Sequence, residues 1–176
     1  MGGELSHLDA KGRARMLDVS AKPVTRRTCV ARGEVRMAPE TLARISAGAL
    51  PKGDVLATAR IAAIQAAKRT DEWIPLCHTL PLDSIEVDLL PDPAGSRVRI
   101  EARVSVHART GVEMEALVAV AAAGLTIYDM CKAIDHGITL EGVRLVRKSG
   151  GKSGDWTRSG EEDSPDPGAG LAPRPR

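Results

Sequence analysis

Gly111 precedes an alanine-rich run from Val112 to about Asp135, and Gly137 stands just past its end. The run reads as one long helix with a glycine stop, the longest in the chain. A helix this apolar must bury its surface against a second layer, so the segments able to form that layer decide the fold. Two of them lie directly before it. Ile85, Val87 and Leu89 alternate with Glu86 and Asp88, and Val98, Ile100, Ala102, Val104 and Val106 alternate with Arg97, Arg99, Glu101 and Arg103. A period of two predicts half-buried strands, and the PDPAGS turn between them predicts a hairpin over 83–106. A partly alternating stretch over 26–37 and another over 138–147 predict two further strands.

Between the first strand and the hairpin, Pro39 opens a short helix to about Ala47, with Gly48 near its end. Asp54 is placed to N-cap a longer one, in which Val55, Ala59, Ala62 and Ala66 recur at helical spacing. Residues 74–82, IPLCHTLPL, carry two prolines and read as a loop. The resulting order is α+β and ferredoxin-like, βαββαβ with an extra helix in the first crossover. It calls for an antiparallel sheet with helices on one face, the other face being left to water or a partner subunit.

The 176 residues suit one domain with a real core. Residues 1–15 are polar and expected to be flexible, 16–156 make the single domain, and 157–176, rich in Pro, Gly and charge, are expected to be disordered. With only Trp73, Tyr128 and Trp156 as aromatics, the core must be Ala, Val, Leu and Ile. That scarcity, with a net charge of only +2, argues against nucleic-acid binding. Cys29, Cys77 and Cys131 are odd in number and scattered, which fits neither a disulfide frame nor a zinc site and suits a reducing cytoplasm. No charge-free apolar stretch reaches about 18 residues and no signal peptide is evident, so no membrane partner is expected.

Several residues could carry chemistry. His78 sits in the Pro-braced loop, where an imidazole can move protons or pair with phosphate; a lone histidine is more often structural. Glu113 and Glu115 stand in the first turn of the long helix, where complementing the helix dipole is the bland explanation. Asp129 and Lys132 share a face near its other end, as an ordinary surface pair would. Glu115 and Asp129 are fourteen residues apart, about 40° around the axis but roughly 21 Å along it. A site using both must be long or shared between subunits. Lys148 and Lys152 flank glycines in RKSGGKSGDW, which lacks the P-loop order but could favour phosphate. Basic residues including Arg26 crowd 11–36, so a polyanionic substrate or RNA would suit both regions.

The strings TGVEMEAL, IYDMCKA and KSGGKSG, in this order, together with LPKGDVLATARIAAIQAAKRTDEWIPLCHTLPL, resemble the MoaC family over roughly residues 5–156. The resemblance implies a ferredoxin-like lyase of molybdenum cofactor biosynthesis. It would convert a cyclised dihydro-GTP to cyclic pyranopterin monophosphate and pyrophosphate. It also implies a homohexamer, a trimer of dimers, with active sites between subunits. By the same resemblance Lys52, His78, Glu113, Glu115, Asp129, Lys132 and Lys148 are functional, Leu76-Cys77-His78 and Met114-Glu115 line the substrate, and Asp129 is the catalytic acid/base. Asp129 with Lys132 would work the purine end, Lys52 and Lys148 would assist, Glu113 and Glu115 would bind the base, and His78 and Arg26 would hold phosphates. No step is redox, so no organic cofactor is required and no structural metal is expected; Mg²⁺ with the phosphates is left open. The loop reads CHTLPL where the family usually has CHPLPL, and Thr79 is expected to loosen it. The rival class is a non-catalytic nucleotide- or RNA-binding module, which would place aromatics on its strands.

Overall fold

The alternating segments form one sheet, in a computed structural model that describes residues 11–152 and 154–161. Its elements are β1 (Thr25–Arg36), α1 (Pro39–Ser46), α2 (Val55–Ala67), a short α3 (Thr70–Trp73), β2 (Ser84–Asp92), β3 (Arg97–Ala108), α4 (Glu113–Cys131), β4 (Thr139–Ser149) and β5 (Trp156–Thr157). The strand order is β2-β3-β1-β4-β5, and every neighbouring pair is antiparallel. The expected α+β, ferredoxin-like order is therefore present. α3 and β5 were not foreseen, because four residues and two residues carry no periodicity.

The helices cover one face. Cys29, Ala31 and Val35 of β1 and Val98, Ile100, Ala102, Val104 and Val106 of β3 are buried beneath them. Length and composition alone would let α4 cross a membrane, yet Ala116, Ala119, Ala123 and Ile127 are fully buried in the core. α2 packs along α4. It starts as expected, with the Asp54 side chain accepting from the Ala57 N–H. One inner position differs: Ala63, not Ala62, is fully buried, beside Ala59 and Ala67. α4 also ends earlier than Asp135. Its last turn closes at Cys131, and Asp135 instead accepts hydrogen bonds from the Ala38 N–H (2.9 Å), the Thr41 hydroxyl (3.1 Å) and the Gly137 N–H (2.9 Å). This ties the end of α4 to the start of α1, which has no side-chain cap of its own.

The sheet's other face is a charged ladder. Arg32 pairs with Glu101 (2.6 Å), Glu101 also with Arg103, and Arg97 with both Glu34 (2.5 Å) and Asp92 (3.0 Å). Order continues past Trp156, where a disordered tail was expected to begin. Arg158 donates its N–H to the Val146 carbonyl (2.8 Å), and the Glu161 carboxylate lies between Arg32 (2.9 Å) and Arg144. These bonds cover part of the β4 edge, which would otherwise be open for pairing. Residues 1–10 and 162–176 of the two expected flexible ends lie outside the described residues.

α4 sits close to the sheet because the contacting positions are small. A Cβ on Gly124 would fall 2.8 Å from Leu140 Cδ2 and 3.4 Å from Val35 Cγ2, and one on Gly33 2.8 Å from Val120 Cγ1. Packing at interior density leaves no slack for a larger side chain. Gly124→Val is expected to cost about 1–3 kcal/mol, read as a lower urea midpoint; an unchanged midpoint would mean that α4 is not seated on the sheet in this way.

Candidate functional site

The two ends of α4 carry two separate constellations. At the C-terminal end, Lys132 is the first residue past the helix, and its ammonium lies 2.7 Å from Asp129 Oδ1. Lys52 reaches the same carboxylate from the turn between α1 and α2, where Gly53 adopts φ 87°. Its Nζ donates to Asp129 Oδ2 (3.1 Å) and to the Asp129 main-chain carbonyl (2.8 Å). A cation at a helix C-terminus is favourable by itself, so a purely structural cap would explain the second bond. It would not explain two lysines converging on one half-exposed carboxylate. The Lys132 hydrogen bond, then that from Lys52, holds the Asp129 carboxyl below its ordinary range. The same bond raises Lys132. The group is one carboxylate held between the side chains of two lysines.

At the N-terminal end a pocket forms between the 74–83 loop and the first turn of α4. Leu76, Cys77, His78, Glu113, Met114 and Glu115, six of the residues singled out from the sequence, line it together. Leu17, which nothing in the sequence pointed to, closes one side: its carbonyl is 2.9 Å from His78 Nε2. A carbonyl only accepts, so Nε2 carries the proton, and in neutral imidazole Nδ1 is the acceptor. The Thr79 hydroxyl, at the position where the loop was expected to loosen, donates to Asp71 Oδ2 on α3 (2.5 Å).

The two glutamates part company here. Glu113 pairs with Lys148 of β4 at 3.2 Å. Glu115 is 4% exposed, which a residue serving only the helix dipole has no reason to be. Burial first, then the charges of Glu113 and Asp71, push its pKa from 4.5 up to about 7. It is thus an acid and a base at neutral pH, the condition suited to proton transfer. Cys77 beside it is raised by burial and by Glu115, and Cys29 beneath is pushed up to about 12, so these sulfurs are thiols rather than thiolate nucleophiles.

Some expectations are not met within one chain. Arg26 points to the charged face, beside Thr28, Arg103 and Ser105, on the opposite side of the sheet from the His78 pocket. In the 148–154 turn, Gly150 (φ 87°) passes so close to the Arg26 carbonyl that a Cβ would clash, and its N–H is already taken by Asp155 (3.1 Å). Those glycines serve a backbone crossing as much as an anion, and Ser153 lies outside the described residues. Among the described residues no three His, Cys, Asp or Glu side chains converge as metal ligands.

Comparison with known proteins gives one consistent result. The family described as "MoaC family" matches residues 16–151. A protein named cyclic pyranopterin monophosphate synthase from Roseiflexus sp. is 63% identical over 153 residues, covering 87% of this chain and 97% of the relative. Proteins of the same name from Chloroflexus aggregans (60% identical over 155 residues, 88% and 94% covered) and Rhodospirillum rubrum (57% over 155 residues, 88% and 93% covered) are similar along the same span.

The buried glutamate has a measurable consequence. A carboxyl whose folded pKa is raised binds more protons folded than unfolded between the two values, so stability falls as pH rises there. Between pH 4.5 and 7 the protein should lose stability relative to Glu115→Gln, by at most about 1.4 kcal/mol per pH unit. Urea midpoints of the two proteins across that range test this; parallel curves would mean Glu115 is solvated.

Proposed function

From the fact that this chain belongs to the MoaC family, we infer that it acts in molybdenum cofactor biosynthesis and forms cyclic pyranopterin monophosphate. The substrate is a cyclised dihydro-GTP and the second product is pyrophosphate, which makes the enzyme a phosphorus–oxygen lyase. One observation carries the reading. The residues matching the family's functional positions gather into two chemically complete clusters, one basic with a single carboxylate and one acidic with an imidazole.

The chemistry divides accordingly. Water must open the imidazole part of the purine, the opened base must close onto the sugar-derived carbons, and a sugar hydroxyl must attack the first phosphate and expel pyrophosphate. Each step moves protons or negative charge, and none needs an electron sink, so no organic cofactor enters; Mg²⁺ could accompany the phosphates. Asp129, at the position the family resemblance gives to the acid/base, is ionised in the free protein and Lys132 beside it protonated; the pair becomes competent for proton transfer when substrate loosens the ion pair that holds both shifts. Lys52, beside that carboxylate, neutralises negative charge developing on the substrate. In the other cluster Glu115 and Glu113 meet the amino and ring N–H groups of the base, Lys148 meets oxyanions, His78 does so as imidazolium with a second proton on Nδ1, and Leu76, Cys77 and Met114 supply the apolar walls.

Lying about 21 Å apart along one helix, the clusters reach a single substrate either through a long site in one chain or, in the reading favoured by the helix surface between them, through two copies. The groove between α2 and α4 starts at Asp129 and is lined by Ala62, Ala66, Ala122, Leu125 and Trp73 together with Gln65, Arg69 and Thr126. Leu125 and Trp73 are half exposed, an apolar strip that a second copy running the opposite way would cover. A two-fold pairing along α4 sets Glu115 of one subunit near Asp129 of the other. Three such dimers make the expected hexamer, and the three free cysteines suit a reducing cytoplasm.

The test is turnover of the cyclised dihydro-GTP, followed by pyrophosphate release and by pterin fluorescence after oxidation. Both signals are expected; a folded protein giving neither refutes the reading. Asp129→Asn should lower kcat by about 10²–10⁴. Mixing inactive Glu115→Gln and Asp129→Asn chains should restore part of the activity through hybrid sites, whereas no recovery after verified subunit exchange would place each site within one chain.

A further inference from the structure

We propose that Asp71 and Thr79 are positioning residues for the substrate-lining loop, the Asp71 carboxylate on α3 holding residues 76–79 in place through the Thr79 hydroxyl. This rests on the reading of the His78 pocket as one half of the active site.

The loop between α3 and β2 has no regular structure, so its shape depends on discrete ties. The Ile74 N–H bonds to the Thr70 carbonyl (2.9 Å), the Cys77 N–H to the Ile74 carbonyl (3.0 Å), and the Asp83 N–H to the Ser105 carbonyl (2.9 Å). Leu80 and Leu82 pack against the core. Two side chains tie the middle, where the pocket wall is: His78 to Leu17, and Thr79 to Asp71. They differ in what lies behind them. Leu17 belongs to a segment outside helix and strand. Asp71 follows Thr70, which is 2% exposed and bonds through its hydroxyl to the Ala67 carbonyl (3.0 Å) at the end of α2. The Asp71 tie therefore connects the loop to the helical layer itself, one residue from His78. A hydroxyl donating to a carboxylate is a charge-assisted bond, stronger than its neutral counterpart.

Asp71 also faces Glu115. The groups around that buried carboxyl are Glu113 on its own helix, Asp71 on α3, and Cys77 and His78 on the loop, with Lys148 of β4 engaging Glu113. The two roles of Asp71 separate by substitution. Thr79→Val keeps the shape and the Asp71 charge but removes the donor. Asp71→Asn keeps an acceptor oxygen but removes the charge, which should bring the Glu115 titration down.

The experiment compares wild type, Thr79→Val, Thr79→Ser and Asp71→Asn as full chains. It reads amide hydrogen exchange over 76–80, the Glu115 carboxyl titration by NMR, and KM and kcat with the cyclised dihydro-GTP. In Thr79→Val, loop exchange should quicken and KM rise roughly three- to ten-fold, as for one lost hydrogen bond at a solvent-exposed position, with kcat changed far less. Thr79→Ser should restore both. Asp71→Asn, which keeps a neutral acceptor, should quicken exchange less than Thr79→Val while lowering the Glu115 titration. Exchange and KM unchanged in Thr79→Val would overturn the proposal. Exchange and titration are read without substrate, so they judge the latch even if wild type fails to turn over, which would count against the functional reading alone.

Discussion

The close seating of α4 on the centre of the sheet governs the rest of the molecule. Gly33 beneath Val120, and Gly124 over Leu140 and Val35, bring helix and strands together at distances that exclude even a methyl group. Alanines at 116, 119 and 123 continue that contact, and α2 packs alongside with alanines of its own. With almost no aromatic bulk available, packing density comes from backbone proximity instead of large side chains. A helix held so firmly cannot slide or rotate by much, and both candidate clusters are hung from its two ends.

Each end then acquires its own electrostatic character from what the fold brings to it. The C-terminal end is open, and two lysines approach from the turn after α1 and from the helix terminus itself, so the carboxylate between them stays charged. The N-terminal end is closed by a loop and by the segment carrying Leu17, so a carboxyl there loses water and becomes harder to ionise. Two acidic residues on one helix thus differ in protonation at neutral pH, one ionised by its two lysine partners and the other held back chiefly by burial. That difference suits a reaction needing a base in one place and a proton donor or neutral partner in another.

Much of the fold was legible in the chain. Strict alternation in 85–89 and 97–106, the alanine-rich run and the Asp54 cap each act locally, and each became the element its pattern implied. Boundaries were less so. α4 stops at Cys131 because the Asp135 side chain is drawn to the α1 N-terminus, and β5 forms because β4 offers an open edge. Both depend on partners distant in sequence. In the candidate site, motif strings named nearly every lining residue. Leu17, Asp71 and the turning of Arg26 to the far face had no local signature.

The sequence by itself determined the element types, the antiparallel α+β order and the residue types available for acid–base chemistry, because periodicity and turn residues act within a few positions of one another. Tertiary structure alone decided which glutamate is buried, which lysines meet Asp129, and that the Thr79 hydroxyl meets Asp71. Solvation and charge pairing are properties of neighbours in space, and those neighbours come from segments tens of residues apart.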